Sequence, residues 1–233
     1  MKTKKILGII VAFVLVIALS VGATIAWLTD SDEVKNTFTV GNVEITMDEP
    51  GVENDPYYDE EGEGFIKPNE EGNGYEYTLI PGLDYTKDPT VTVLKGSSDC
   101  YVRAFVTVNE KADLDAIFAA ENMAAYLTED ATGKHLDISK VIELGTDWTL
   151  EGMKVVGDTR VYELRYKDGA KITDVPDDAD LPLSAIFTKI MMPEDITATQ
   201  LQTIKDLEIT VQGQAIQADG FTDADAAWAE IDG

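Results

Sequence analysis

Residues 100–108 read CYVRAFVTV, with Val102, Ala104, Val106 and Val108 on one alternating set of positions and Tyr101, Arg103, Phe105 and Thr107 on the other. Successive strand side chains point to opposite faces, so this run predicts a strand with one fully apolar face turned to a core. Upstream, residues 90–94 form a second strand-like run, and KGSSD between the two reads as a hairpin-type connection. Residues 75–80 form another, ended by the turn pair Pro81-Gly82. Downstream, residues 136–144, 148–156 and 160–166 read as short strands, the last setting Tyr162, Leu164 and Tyr166 against Val161, Glu163 and Arg165. Leu181-Pro182-Leu183 leads into 185–190, placed against the core, and Leu207, Ile209 and Val211 open a strand continuing to Ala215-Ile216. Many short strands with Gly/Pro turns between them argue for a mainly β protein, an antiparallel β-sandwich.

The helices are few and peripheral. Residues 111–127 predict a helical insertion capped by Asp113, with Leu114, Ile117 and Phe118 as its apolar stripe, closing one end of the sheets. Thr197 with Gln200 has capping-box spacing, and Leu201, Ile204 and Leu207 supply that helix's buried side. Thr222 reads as the cap of a C-terminal helix, with Asp225 at the third position and Ala226, Ala227 and Trp228 following.

Ahead of the strands, Lys2, Lys4 and Lys5 precede an apolar run over residues 6–21, and Ala23, Thr24 and Ala26 form a small-residue junction. That is the layout of a secretory signal peptide, cut after Ala23 or Ala26. The rival reading is a retained membrane helix, since 6–28 is long enough to span a bilayer; the acidic, polar stretch that follows argues for removal. Beyond the junction, Phe38 and Val40, then Val43, Ile45 and Met47, alternate around a kink at Gly41-Asn42.

The formal charge of −26 comes from 18 basic and 44 acidic residues. Loss of the three leader lysines would leave 15 basic residues, a charge of −29. Such a polyanion is repelled by nucleic acid and by anionic lipid, so nucleic acid is excluded as a partner. Cys100 is the single cysteine, which rules out an intrachain disulfide and reads as a buried structural thiol. One histidine, His135, and no H-E-x-x-H leave no zinc-hydrolase ligand set and no triad, so no catalytic, metal or cofactor residue is assigned. The acidic loop carries Asp55, Asp59, Glu60, Glu61 and Glu63, oxygen donors of the kind Ca²⁺ takes, but without EF-hand spacing; a solvated acidic loop is the simpler reading.

Residues Thr24, Ala26, Trp27, Leu28, Thr29 and Asp30, then Asn36, Phe38, Gly41, Val43 and Ile45, follow a fixed pattern. It resembles the leader region of the TasA/camelysin family of Gram-positive bacteria, exported proteins cut by a SipW-type signal peptidase. The segment 214–221, QAIQADGF, with Ala227-Trp228 beyond it, is similar to the family's C-terminal element, and the likeness is weakest over 110–180. The resemblance implies cleavage between Ala26 and Trp27. It divides the chain into a signal peptide with its signal helix (1–26), an N-terminal arm and first strand (27–47), and a jelly-roll-like β-sandwich domain (48–233) with acidic loops and the helical insertion near 111–127. It also implies an inward, salt-bridged Arg103.

For function the resemblance implies a secreted or cell-surface structural subunit of an extracellular fibre or biofilm matrix. Copies would join head-to-tail by donor-strand complementation, the arm entering a neighbour's sheet with Trp27, Leu28, Val34 and Phe38 as anchors. Its partners would be other copies of itself, the SipW-type peptidase and sibling matrix proteins. The competing readings are an arm packed on its own domain, a camelysin-like surface metallopeptidase, and a Ca²⁺-dependent surface binding module.

Overall fold

The computed structural model describes residues 29–32, 43–61, 64–69, 72–130 and 133–232. The expected signal helix, the Ala26–Trp27 junction and the anchors Leu28, Val34 and Phe38 lie outside the described residues. The chain begins with strands β1 (Thr29–Asp32), β2 (Ile45–Asp48), β3 (Ile66–Pro68), β4 (Tyr75–Tyr77), β5 (Asp84–Thr86), β6 (Thr90–Val93) and β7 (Cys100–Val108). Helix α1 (Lys111–Phe118) leads to β8 (Leu127–Asp130), β9 (Gly133–Leu136), β10 (Ile142–Leu144), β11 (Trp148–Val156) and β12 (Thr159–Tyr166). Strands β13 (Leu181–Pro182) and β14 (Phe187–Met191), helix α2 (Ala198–Thr203), β15 (Ile209–Gln217) and helix α3 (Ala224–Asp232) complete it. The protein is mainly β, every ladder between these strands is antiparallel, and the helices are short.

The principal sheet has the order β1-β15-β7-β12-β11, and two three-stranded sheets, β10-β14-β5 and β13-β6-β2, lie with it around a shared core. β7 is its axis. Val102, Ala104 and Val106 are buried, as the alternation predicted, and meet Tyr162 and Leu164 of β12 and Val211 and Ala215 of β15. Across the core stand Ile45, Val91, Val93, Ile186 and Phe187, all fully buried. Burying one such side chain is worth about 1.5–3 kcal/mol, so these facing rows hold the layers together. Gly213 marks the closest approach: a Cβ there would come within 3.0 Å of Val91 Cγ2.

Several local expectations change partners. β6 and β7 are not a hairpin. Val93 pairs with Ile45 and Leu181, whereas Cys100 pairs with Gln217, so KGSSD carries the chain from one sheet to another. The insertion is α1 followed by a 3-10 turn over Glu121–Tyr126, and Leu114, Ile117, Phe118 and Met123 are buried. Asp113 is not its cap. Glu110 heads the helix with φ 52°, and the carboxylate of Asp158 accepts the Ala112 N–H at 2.8 Å. The run 136–144 is split by a 3-10 turn over Ile138–Lys140. The capping box at Thr197 is present in both directions. At the C-terminus Asp223, one residue past the expected Thr222, accepts the Ala226 N–H at 2.9 Å.

Candidate strand-exchange site

The expected arm overlaps β1. In the structure Thr29–Asp32 pairs antiparallel with β15 of the same chain, from Thr29↔Ile216 to Asp32↔Gly213. β15 itself is paired with β7 along its whole length, from Ile209↔Val108 to Gln217↔Cys100. On its other side, among the described residues, β15 is paired over 213–216. A sheet edge is a ready template for another strand.

Beside residues 209–211 runs a groove of about 1430 Å³, with Met47, Tyr77, Ile204 and Val211 but also Glu76 and Lys205 among its lining residues. One wall is β15 with the α2 region, and the other is β2 and the β3–β4 hairpin. The hairpin wall is held by aromatic contacts. Tyr58 and Tyr75 meet edge-on with centroids 5.9 Å apart, as do Tyr77 and Tyr85. Tyr85 is anchored by its hydroxyl, which donates to Thr78 O at 2.6 Å and accepts the Ile80 N–H at 2.8 Å. Burial pushes the Tyr77 phenol far up, with Glu49 as a further cause.

On the sheet's opposite face α3 clamps β15 and β7 from behind. Arg103 is 1% exposed and forms a two-pronged pair with Asp232, both N···O distances 2.7 Å, while its Nε donates to Gln214 Oε1 at 2.9 Å. Its guanidinium lies 4.2 Å from the Trp228 ring and 4.7 Å from Phe105. The hydrogen bonds from Arg103 hold the Asp232 carboxyl below the usual carboxylate range, against partial burial. A second pair, Arg165 with Asp225, fastens the start of the helix. Arg103 is thus inward and salt-bridged, and through Gln214 it ties β7 to β15.

The other candidate residues do not come together. Cys100 is buried and its thiol is pushed up to about 12 by burial, then by Asp99, so it is inert as a nucleophile. His135 lies in the β8–β9 hairpin, Nδ1 3.0 Å from Gly133 O. In the acidic loop Asp55 is turned inward, accepting the Tyr57 and Thr86 N–H groups at 2.8 Å each, and Asp59 accepts the Glu61 N–H at 2.9 Å. These carboxylates organise their own loop. Among the described residues no three His, Cys, Asp or Glu side chains converge as a metal site. The sequence reading did not anticipate that β1 pairs with β15.

No protein-family model, curated protein or solved structure matches this chain.

Proposed function

We propose that the chain is an exported structural subunit of an extracellular fibre or biofilm matrix, joined head-to-tail by exchange of its N-terminal arm. The observation that carries this reading is the arrangement at β15. Among the described residues, the arm contributes the outermost strand of the principal sheet through a ladder of four residue pairs, beside a groove lined by both polar and apolar side chains. Three of those four residues, Asp30, Ser31 and Asp32, are polar or charged and favour neither strand formation nor burial. The same edge ladder can be supplied by the arm of another copy, and a head-to-tail contact of this kind need not close, so it propagates as a filament.

In this reading a SipW-type peptidase cuts between Ala26 and Trp27, freeing the arm, and Trp27, Leu28, Val34 and Phe38 become anchors in the neighbour. Sibling matrix proteins with the same leader are further partners. The crossing of the chain between sheets at β6–β7 supports a jelly-roll-like description of the sandwich. The test compares residues 27–233 with 37–233 by electron microscopy after identical incubation. Filaments from the longer chain alone support the reading; equal filament formation by both defeats it.

A further inference from the structure

Among the described residues, Lys87 and Glu49 form the most enclosed lysine–carboxylate pair. Lys87 follows β5, Glu49 follows β2, and they are 38 positions apart in sequence. The Lys87 side chain is 9% exposed and that of Glu49 16%, with Nζ 2.5 Å from Oε1. The Tyr77 ring covers the amine, its centroid 5.7 Å from Nζ. Two carboxylate oxygens at this place are buried and have no hydrogen-bond partner, Glu49 Oε2 and Oδ1 of the adjacent Asp88. A simple ion pair leaves both orphaned, and an orphaned buried carboxylate oxygen costs a few kcal/mol.

We infer that Lys87 and Glu49 condense into an intramolecular isopeptide bond, Nζ to Cδ. The contact already holds amine and carboxyl together beside the Tyr77 ring. Such positioning replaces a bimolecular encounter and supplies much of the barrier reduction. A proton passes from the Lys87 ammonium to the Glu49 carboxylate, leaving both groups neutral. The Nζ lone pair attacks Cδ, the Nζ–Cδ bond forms, and the Cδ–O bond breaks. The nitrogen gives up its second proton to the departing hydroxyl, which leaves as water. The products are an amide and one water, with no oxidant or reductant required.

Asp88 is the neighbouring carboxyl. Burial pushes it up, opposed by the Gly51 N–H and reinforced by the charge of Glu49. One of its oxygens is held by the Gly51 N–H at 2.8 Å. A Cβ at position 51 would stand 2.6 Å from Asp88 Oδ2, so a side chain there would push the carboxyl aside. The product would covalently tie the β2 sheet to the β5 sheet across the groove wall, a staple suited to a chain with no disulfide.

The experiment is mass spectrometry of the purified protein, intact and after proteolysis under denaturing conditions. The expected result is a mass one water below that of the sequence, with a branched peptide joining Lys87 to Glu49. In Lys87→Arg the deficit disappears and the two peptides separate. A full mass with separate Lys87 and Glu49 peptides in the natural protein overturns the inference. So does a deficit that survives Lys87→Arg, or a branched peptide through another carboxylate. The natural protein alone decides the main question, whatever the variant does to folding.

Discussion

Arg103→Ala tests whether the clamp behind β15 holds the sheet. The guanidinium is 1% exposed and fills the space between the Phe105 and Trp228 rings. Breaking a buried ion pair by deleting one partner costs about 3–5 kcal/mol, mainly through the charge left behind. Here the residual charge is Asp232, whose side chain is 54% exposed and rehydrates, which moves the cost towards the lower end. Two lost cation–π contacts add about 0.5–1 kcal/mol each, and the emptied space between the rings adds a cavity term. The expected loss is about 4 kcal/mol, which with an m-value of about 2 kcal/mol/M lowers the urea midpoint by about 2 M. Asp232→Asn keeps the size but removes the charge and turns one of the two acceptors facing Arg103 into a donor, for an expected loss of about 1–3 kcal/mol. Urea unfolding followed by tryptophan fluorescence measures both. Arg103→Ala within about 0.5 kcal/mol of the natural protein, the range of an ordinary surface change, would refute the reasoning.

Further outcomes follow from other parts of the fold. The folded-state pKa of Asp232 is lowered, so its contribution is complete above its unfolded value and disappears as pH falls through the folded one; stability drops below about pH 4, and less steeply in Asp232→Asn, by pH-dependent urea titration. Gly145→Ala places a Cβ 1.9 Å from the Ala185 carbonyl oxygen, so β10 and the Ala185 segment must part; the expected cost is about 3 kcal/mol or more, read as a lowered Tm. Thr197→Ala removes the capping box of α2 and costs about 1 kcal/mol by the same unfolding assay. Cys100, with its thiol pushed up to about 12, resists alkylation at pH 8 in the folded protein and reacts readily in denaturant; fast labelling of the native form would contradict its burial.

The strands whose side chains divide cleanly between faces were legible in the sequence. β7 and β12 alternate because one face meets the core and the other meets α3 or solvent, and β15 could be traced from Leu207 to Ile216 for the same reason. Partner choice was not legible. KGSSD announces a turn, and Gly96 adopts φ 75° in it, but a turn signal does not say that Val93 joins Ile45 while Cys100 joins Gln217. The same limit explains the cap of α1, where Asp158, 46 residues from Ala112, replaces the local Asp113. Long-range carboxylates are invisible to a local reading. At the site, the overlap of the arm with a strand could be anticipated from residues 27–47, whereas the pairing of β1 with β15 and the Lys87–Glu49 contact depend on which sheets meet.

The claim that the arm serves a neighbour is tested most directly through the Ser31↔Gln214 register pair. Ser31→Cys is placed in one population of residues 27–233 and Gln214→Cys in another, and the two are mixed, incubated and oxidised. Exchange between molecules predicts disulfide-linked pairs joining the two variants. Absence of that cross-link in the mixture, with an intramolecular bond when both cysteines share one chain, would show that the arm closes on its own sheet and contradict the fibre reading.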